Sequence, residues 1–255
     1  MRVFSSFASI VILTVASFVA HAESQNPFLT TDARVTLKAY QSLVEEHLSG
    51  ILRAEKALAA TSDAKSAQWE NIKPALASLG MNLSTGAAVW FALPDGNYYT
   101  VEGDHAEQSI KTRDYFPRLL EGKDVLASLV VSKATGHRSI IVATPVIDQG
   151  KVVGAIGISV RTRMVALLID KYTDLPDDIY FYALDANAQI AIHRNPDRLF
   201  KHPADIDPKL KPVFADILNQ DQGTFQYVLD GKQVDAVFNK SSLTGWSFVL
   251  ARQQK

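Results

Sequence analysis

The chain has 255 residues, 47% hydrophobic and 21% charged, the proportions of a globular protein with one large domain or two modest ones. A formal charge of −1 without a long run of either sign disfavours a nucleic-acid binder, whose affinity rests on a basic face against phosphates. The absence of cysteine excludes a disulfide frame, a thiolate zinc site, a cysteine nucleophile and an iron–sulfur cluster.

Arg2 is the only charge before Glu23, Phe7 to Ala20 is an apolar stretch, and Ala20-His21-Ala22 puts small residues where a signal peptidase reads. At 1.5 Å per residue that stretch spans roughly 21 Å, short of a hydrocarbon core of roughly 30 Å. The expectation is a signal peptide over residues 1–22, cleaved to leave a periplasmic or secreted chain from Glu23. The alternative is an uncleaved N-terminal membrane anchor. Residues 23–80 then read as a helical region. Leu37, Tyr40, Val44, Leu48, Ile51 and Leu58 recur at helical spacing, and Trp69, Ile72, Leu76 and Leu79 continue it as far as Gly80. Pro74 predicts a kink or break in the second helix.

From residue 81 to 163 the pattern changes to strands at 87–93 and 98–101, a helix at 113–121, and three antiparallel strands at 125–131, 139–146 and 152–160. A connecting helix occupies 164–177, carried by Val165, Leu167, Leu168 and Ile169. The strand-turn-strand, helix, three-strand order then repeats over 178–255, with a helix at 208–218. A repeat of about 90 residues is too long for a solenoid unit and fits two copies of one small domain. The predicted fold class is α+β: a long N-terminal helix followed by two PAS-like modules, each an antiparallel sheet with flanking helices.

This order resembles the double Cache domain, the extracytoplasmic ligand sensor of bacterial chemoreceptors, histidine kinases and cyclic-di-GMP enzymes. Arg113-Asp114-Tyr115-Phe116 is similar to the family's Arg-x-aromatic-aromatic opening of the pocket helix. Ser132 to Val146, followed by Asp148-Gln149-Gly150-Lys151-Val152-Val153-Gly154, is similar to its turn, strand and glycine hairpin. Ala183 to Pro196 and Thr244-Gly245-Trp246 resemble the corresponding parts of the second module. The resemblance spans roughly residues 30 to 252. It implies a ligand in the first, membrane-distal module, with Arg113 as the anchor for a carboxylate and Tyr115 and Phe116 as walls. Without the resemblance, the favoured reading of Arg113 is a surface salt-bridge partner on a helix, beside two core aromatics.

Trp90 and Tyr99 are further candidates for the pocket lining, although strand aromatics more often serve as plain core. Tyr98 would point the opposite way from Tyr99, outside. His137 is a candidate lid residue, with a solvated loop position as the bland alternative. Amino-acid-binding members of the family add a Tyr on the strand after the pocket helix and an Asp on the last strand, which grips the ligand ammonium. The alignment puts Val130 and Ile156 there, so the resemblance implies a small organic acid rather than an amine.

His193 and His202 lack the i, i+4 spacing of a zinc helix, so no metal is expected; nor is any cofactor. No Gly-x-Ser-x-Gly, phosphate loop or His-Glu-x-x-His occurs, and no enzyme is expected. The sequence ends nine residues after Trp246 without a second span, so the expected protein hands its state to a partner: a membrane receptor, kinase or cyclase, or a second copy in a homodimer. The rival reading is an interaction protein with an empty pocket that works through its long helix or a dimer surface.

Overall fold

The computed structural model describes residues 31–83, 87–132 and 136–254. The expected signal peptide over residues 1–22, and residues 133–135 of the expected turn after Ser132, lie outside them. The apolar stripe becomes α1 (Thr31–Ala59), with Leu37, Tyr40, Val44, Leu48 and Ile51 all buried on one side. A short turn α2 (Ser62–Lys65) follows, its first turn capped by the Thr61 hydroxyl on the Ala64 N–H, and then α3 (Trp69–Met81). α3 runs unbroken across Pro74, so the break expected there does not occur. In its second turn a proline removes a single i→i−4 bond, and burial of Trp69, Ile72 and Leu76 holds the helix together.

The first sheet is built from β1 (Ala88–Ala92), β2 (Tyr98–Thr100), β3 (Asp104–His105), β4 (Val125–Val131), β5 (Arg138–Asp148) and β6 (Lys151–Arg161), in the order β3-β2-β1-β6-β5-β4. The helix expected from residue 113 begins later, as α4 (Phe116–Leu120), because Pro117 suits a first turn and Arg113 closes a preceding turn through its carbonyl on the Phe116 N–H. α5 (Thr162–Thr173) leads to the second sheet: β7 (Ile179–Leu184), β8 (Ile190–His193), β9 (Gln222–Leu229), β10 (Lys232–Lys240) and β11 (Ser247–Gln253). Between β8 and β9 lie a 3₁₀ turn (Pro196–Arg198), α6 (Pro203–Ile206) and α7 (Leu210–Leu218). Its strand order, β8-β7-β11-β10-β9, is that of β2-β1-β6-β5-β4 in the first sheet. The chain is a mixed α+β protein with the same strand order in both sheets.

Each sheet is covered on both faces, which is why its strands read as nearly unbroken apolar runs. In the first, Val89, Phe91, Ile140, Val142, Ile156 and Ile158 face the N-terminal helices. Trp90, Ala92, Tyr98, Ile141, Ala143 and Ala155 face the other way, toward α4 and the segment before it. α1 packs on both sheets. Its first half sets Tyr40 against Phe181 (5.1 Å) and Phe248 (5.2 Å), and its second half binds Asp124 through Lys56 at 2.7 Å.

The Tyr40 hydroxyl is fully buried without a hydrogen-bond partner. Tyr40→Phe should therefore leave stability unchanged or raise it by up to about 1 kcal/mol, since it removes an unsatisfied group and keeps the ring. A lowered urea midpoint would show that the hydroxyl is satisfied.

Candidate functional site

Alternation along β1 and β2 sends Trp90, Tyr98 and Thr100 to the face away from α1, and the connection from β2 to α4 arches over them. A cavity of about 330 Å³ lies between. Ala88, Trp90, Ile110, Tyr115, Val130 and Ile141 supply its apolar walls, and Arg113, Arg161, Tyr98, Ser159 and Glu102 its polar groups. Its size sits at the small end of ligand pockets.

Arg113 is half-buried at the mouth, and its Nη2 donates to the Val131 carbonyl at 2.8 Å, which ties the pocket segment to the edge strand β4. Burial pushes the phenols of Tyr98 and Tyr115 up, and in both the Arg113 guanidinium opposes the shift. All three side chains thus act on one space, and both phenols stay protonated donors. Arg161, at the end of β6, adds a second guanidinium. Glu102, exposed at the rim, is the only carboxylate among the described lining residues.

Of the residues singled out from sequence, the structure brings Trp90, Arg113 and Tyr115 together around this cavity. Phe116 is buried in the cluster behind them and is not part of the lining. Tyr99 is elsewhere: it faces the helices and stacks on Trp69, with ring centroids 5.3 Å apart, while Tyr98, expected outside, enters the cavity. The β1–β2 register settles this, because Trp90 pairs with Thr100 and Phe91 with Tyr99, and cross-strand partners share a face. His137 is exposed beside Arg138 and Arg163, in a cleft between the first module and the Pro196–Leu199 segment. His193 is buried in the second module, and His202 precedes α6 as its N-cap.

Val130 does line the cavity, but Ile156 points to the helices on the opposite face of β6. The cavity side of β6 carries Ala155, Gly157 and Ser159, so Ile156 does not face the cavity as the sequence reading expected. The residue that lies beside the cavity wall is Gly157, and the indole of Trp90 fills the space a side chain there would need. Trp90 is held in place by its Nε1, which donates to Ser159 Oγ at 3.2 Å. Tyr98, Arg161 and Ser159 were missed from sequence. Pairing the strands around the Pro94-Asp95-Gly96-Asn97 turn would have found Tyr98, and the β6 register would have found the other two.

The family model described as Cache domain matches residues 17–255. No curated protein matches the sequence. Among solved structures, the ligand-binding domain of the Pseudomonas aeruginosa amino acid chemoreceptor PctB, in complex with L-Arg, superposes with a TM-score of 0.69 at 18% identity, covering 90% of this chain and 97% of that one. The sensor domain of the V. cholerae histidine kinase DctB gives 0.65 at 14% identity, over 88% and 96% of the two chains. An extracellular ligand-binding receptor from Desulfohalobium retbaense gives 0.69 at 14% identity; the match covers 87% of this chain and 40% of the receptor.

Proposed function

The chain belongs to the Cache domain family, and from that premise we propose that it is an exported sensor-type protein that binds a small organic carboxylate in its first module and passes its state to a partner. The observation that carries this reading is the pair of guanidiniums, Arg113 and Arg161, at a cavity whose one described carboxylate sits at the exposed rim. A guanidinium offers a planar fork of donors that matches a carboxylate, and the hydroxyls of Tyr98 and Tyr115 add two more donors. The chemoreceptor domain solved with L-Arg holds an amino acid. An amino-acid ligand here would bring an ammonium, and the one described carboxylate of the lining, Glu102, sits exposed at the rim rather than inside to meet it. Burying that charge unpaired costs several kcal/mol.

The apolar, acid-free leader composition supports export, and no helix among the described residues is long and apolar enough to cross a membrane. α1 contacts both sheets, as does α5, and a change at the cavity that displaced either helix would reach the second module. A ligand moves either helix only as far as it binds one arrangement better than another.

A thermal-shift comparison of the chain from Glu23 with Arg113→Ala, against organic acids, amines and amino acids, tests the reading. A bound acid at 100 times its dissociation constant should stabilise the parent by about 2.7 kcal/mol per site, and Arg113→Ala should lose the part of that response supplied by the first cavity. Amino acids or amines as the active compounds would overturn the preference for acids. An acid response undiminished in Arg113→Ala would overturn the anchor.

A further inference from the structure

The second module contains a cavity of about 290 Å³ whose lining includes Tyr180, His193, Arg194, Arg198, Asp230 and Gln253, with Asn195 and Leu229. Its place in the fold is that of the first cavity. The shared strand order makes β7, β8, β9 and β11 the counterparts of β1, β2, β4 and β6. Tyr180 stands in the first half of its strand, as Ala88 does. His193 and Thr100, Leu229 and Val130, and Gln253 and Arg161 stand at or near the C-terminal ends of theirs. In both modules an arginine comes from the connection between the second strand and the pocket helix: Arg113 after β2, Arg198 after β8.

The chemistry inside is that of a donor site. Two of its lining residues, Tyr180 and His193, belong to a buried aromatic set. Tyr180 Oη and Tyr182 Oη both meet Tyr227 Oη, at 2.8 and 3.3 Å, which draws the edge strand β9 across to β7. The His193 ring stacks on Tyr180 (5.8 Å) and Tyr182 (5.6 Å), and its Nδ1 accepts the Asn195 N–H at 2.8 Å. The imidazole proton is therefore on Nε2, available as a donor. Burial, with the nearby Arg198 charge, pushes the His193 pKa down to about 3, so the ring stays neutral and Arg198 supplies the positive charge.

Arg194 is not free for a ligand: it donates to the carbonyls of Leu175, Pro176 and Ile179 and pairs with Asp170 at 2.9 Å. Arg198 has a weaker hold. Its ion pair is to Asp230 at 3.5 Å, and that carboxylate, on an exposed hairpin turn, is 74% exposed. Exposed pairs of this length contribute little, so a ligand carboxylate can take the place of Asp230.

We propose that this cavity is a second ligand site, for a short carboxylate held by Arg198 with the His193 Nε2–H as its second donor. The chain then carries one acid site per module, in equivalent positions. This rests on residues of the second module alone, so the failure of either site leaves the other standing.

The test follows the His193 imidazole by long-range proton–nitrogen NMR in the full chain carrying Arg113→Ala, titrated with acetate, lactate and succinate up to about 10 mM, against sulfate at equal ionic strength. The expected result is a saturable shift of the His193 signals by at least one acid and not by sulfate. Arg198→Gln should weaken that binding at least about ten-fold. Asp230→Asn tolerates the left-handed backbone at this turn (φ 54°) and, by removing the competing carboxylate, should tighten it several-fold. His193 signals unmoved by every acid, moved equally by sulfate, or indifferent to Asp230→Asn would overturn the proposal, and the last of these reads out even if Arg198→Gln does not fold.

Discussion

Glu55→Met is expected to stabilise the protein by about 2 kcal/mol at pH 7 and by much less at pH 4. Glu55 lies on the core side of α1 at 0% exposure, and neither carboxylate oxygen has a hydrogen-bond partner. Burial, and then the negative charge of Asp124, raise its carboxyl well above the usual 4.5, against a smaller opposing pull from the Ile158 backbone. Asp124 itself is held by Lys56 and by the Thr144 hydroxyl, each at 2.7 Å, so it stays in place as a fixed negative neighbour. The folded chain thus keeps a proton that the unfolded chain releases above about pH 4.5, and stability falls as pH rises from there toward the raised value. Below that window both states hold the proton and the pH-dependent part of the cost disappears. Methionine has nearly the same length and helix propensity and carries no charge. Urea midpoints of both proteins at pH 4 and pH 7 provide the measurement. A gain equal at the two pH values, or a loss at pH 7, would refute this account of Glu55.

Gly157→Ala is expected to cost about 3 kcal/mol and to disturb the first cavity at the same time. A Cβ at this position overlaps three atoms of the Trp90 six-membered ring. That ring cannot simply swing away, because Nε1 is bound to Ser159 and the indole packs near Tyr115, with centroids 6.4 Å apart. The rigid side chain and its strand must shift together. In a Trp90→Phe background, where the shorter ring ends before those atoms, the same substitution should cost under about 1 kcal/mol, a coupling that a double-mutant cycle reads directly. Additive costs would show that Gly157 is needed for its backbone and not for the space above it. Acid binding should weaken with the single change and recover partly with the pair.

Much of this architecture was legible in the sequence for local reasons. The stripe from Leu37 to Ile51 can only bury one side of a helix, and Gly150 and Asp230-Gly231 turn the chain where the hairpins turn. The repeated strand-turn-strand, helix, three-strand order survives as one strand order used twice. Arg113 and Tyr115 were found through their resemblance to a family motif, and the short strand β3 left no local signal.

What only the tertiary structure decided is which face each strand residue occupies. Tyr98 and Tyr99 exchanged places, and Ile156 gave way to Gly157, for the same reason. A strand alternates with period two, and a sheet buried on both faces makes both alternating sets apolar, so the pattern carries no mark of inside or outside. Arg198 was not singled out from the sequence, and His193 was weighed there only as a metal ligand. Their joint meaning depends on the contact of Tyr227, on the edge strand β9, with Tyr180 on β7, made between residues 47 positions apart. The sequence by itself determined the elements, their order and their duplication, because those follow from local spacing and turn chemistry. The two cavities follow from pairing register and from side-chain contacts across each sheet, which join segments distant along the chain.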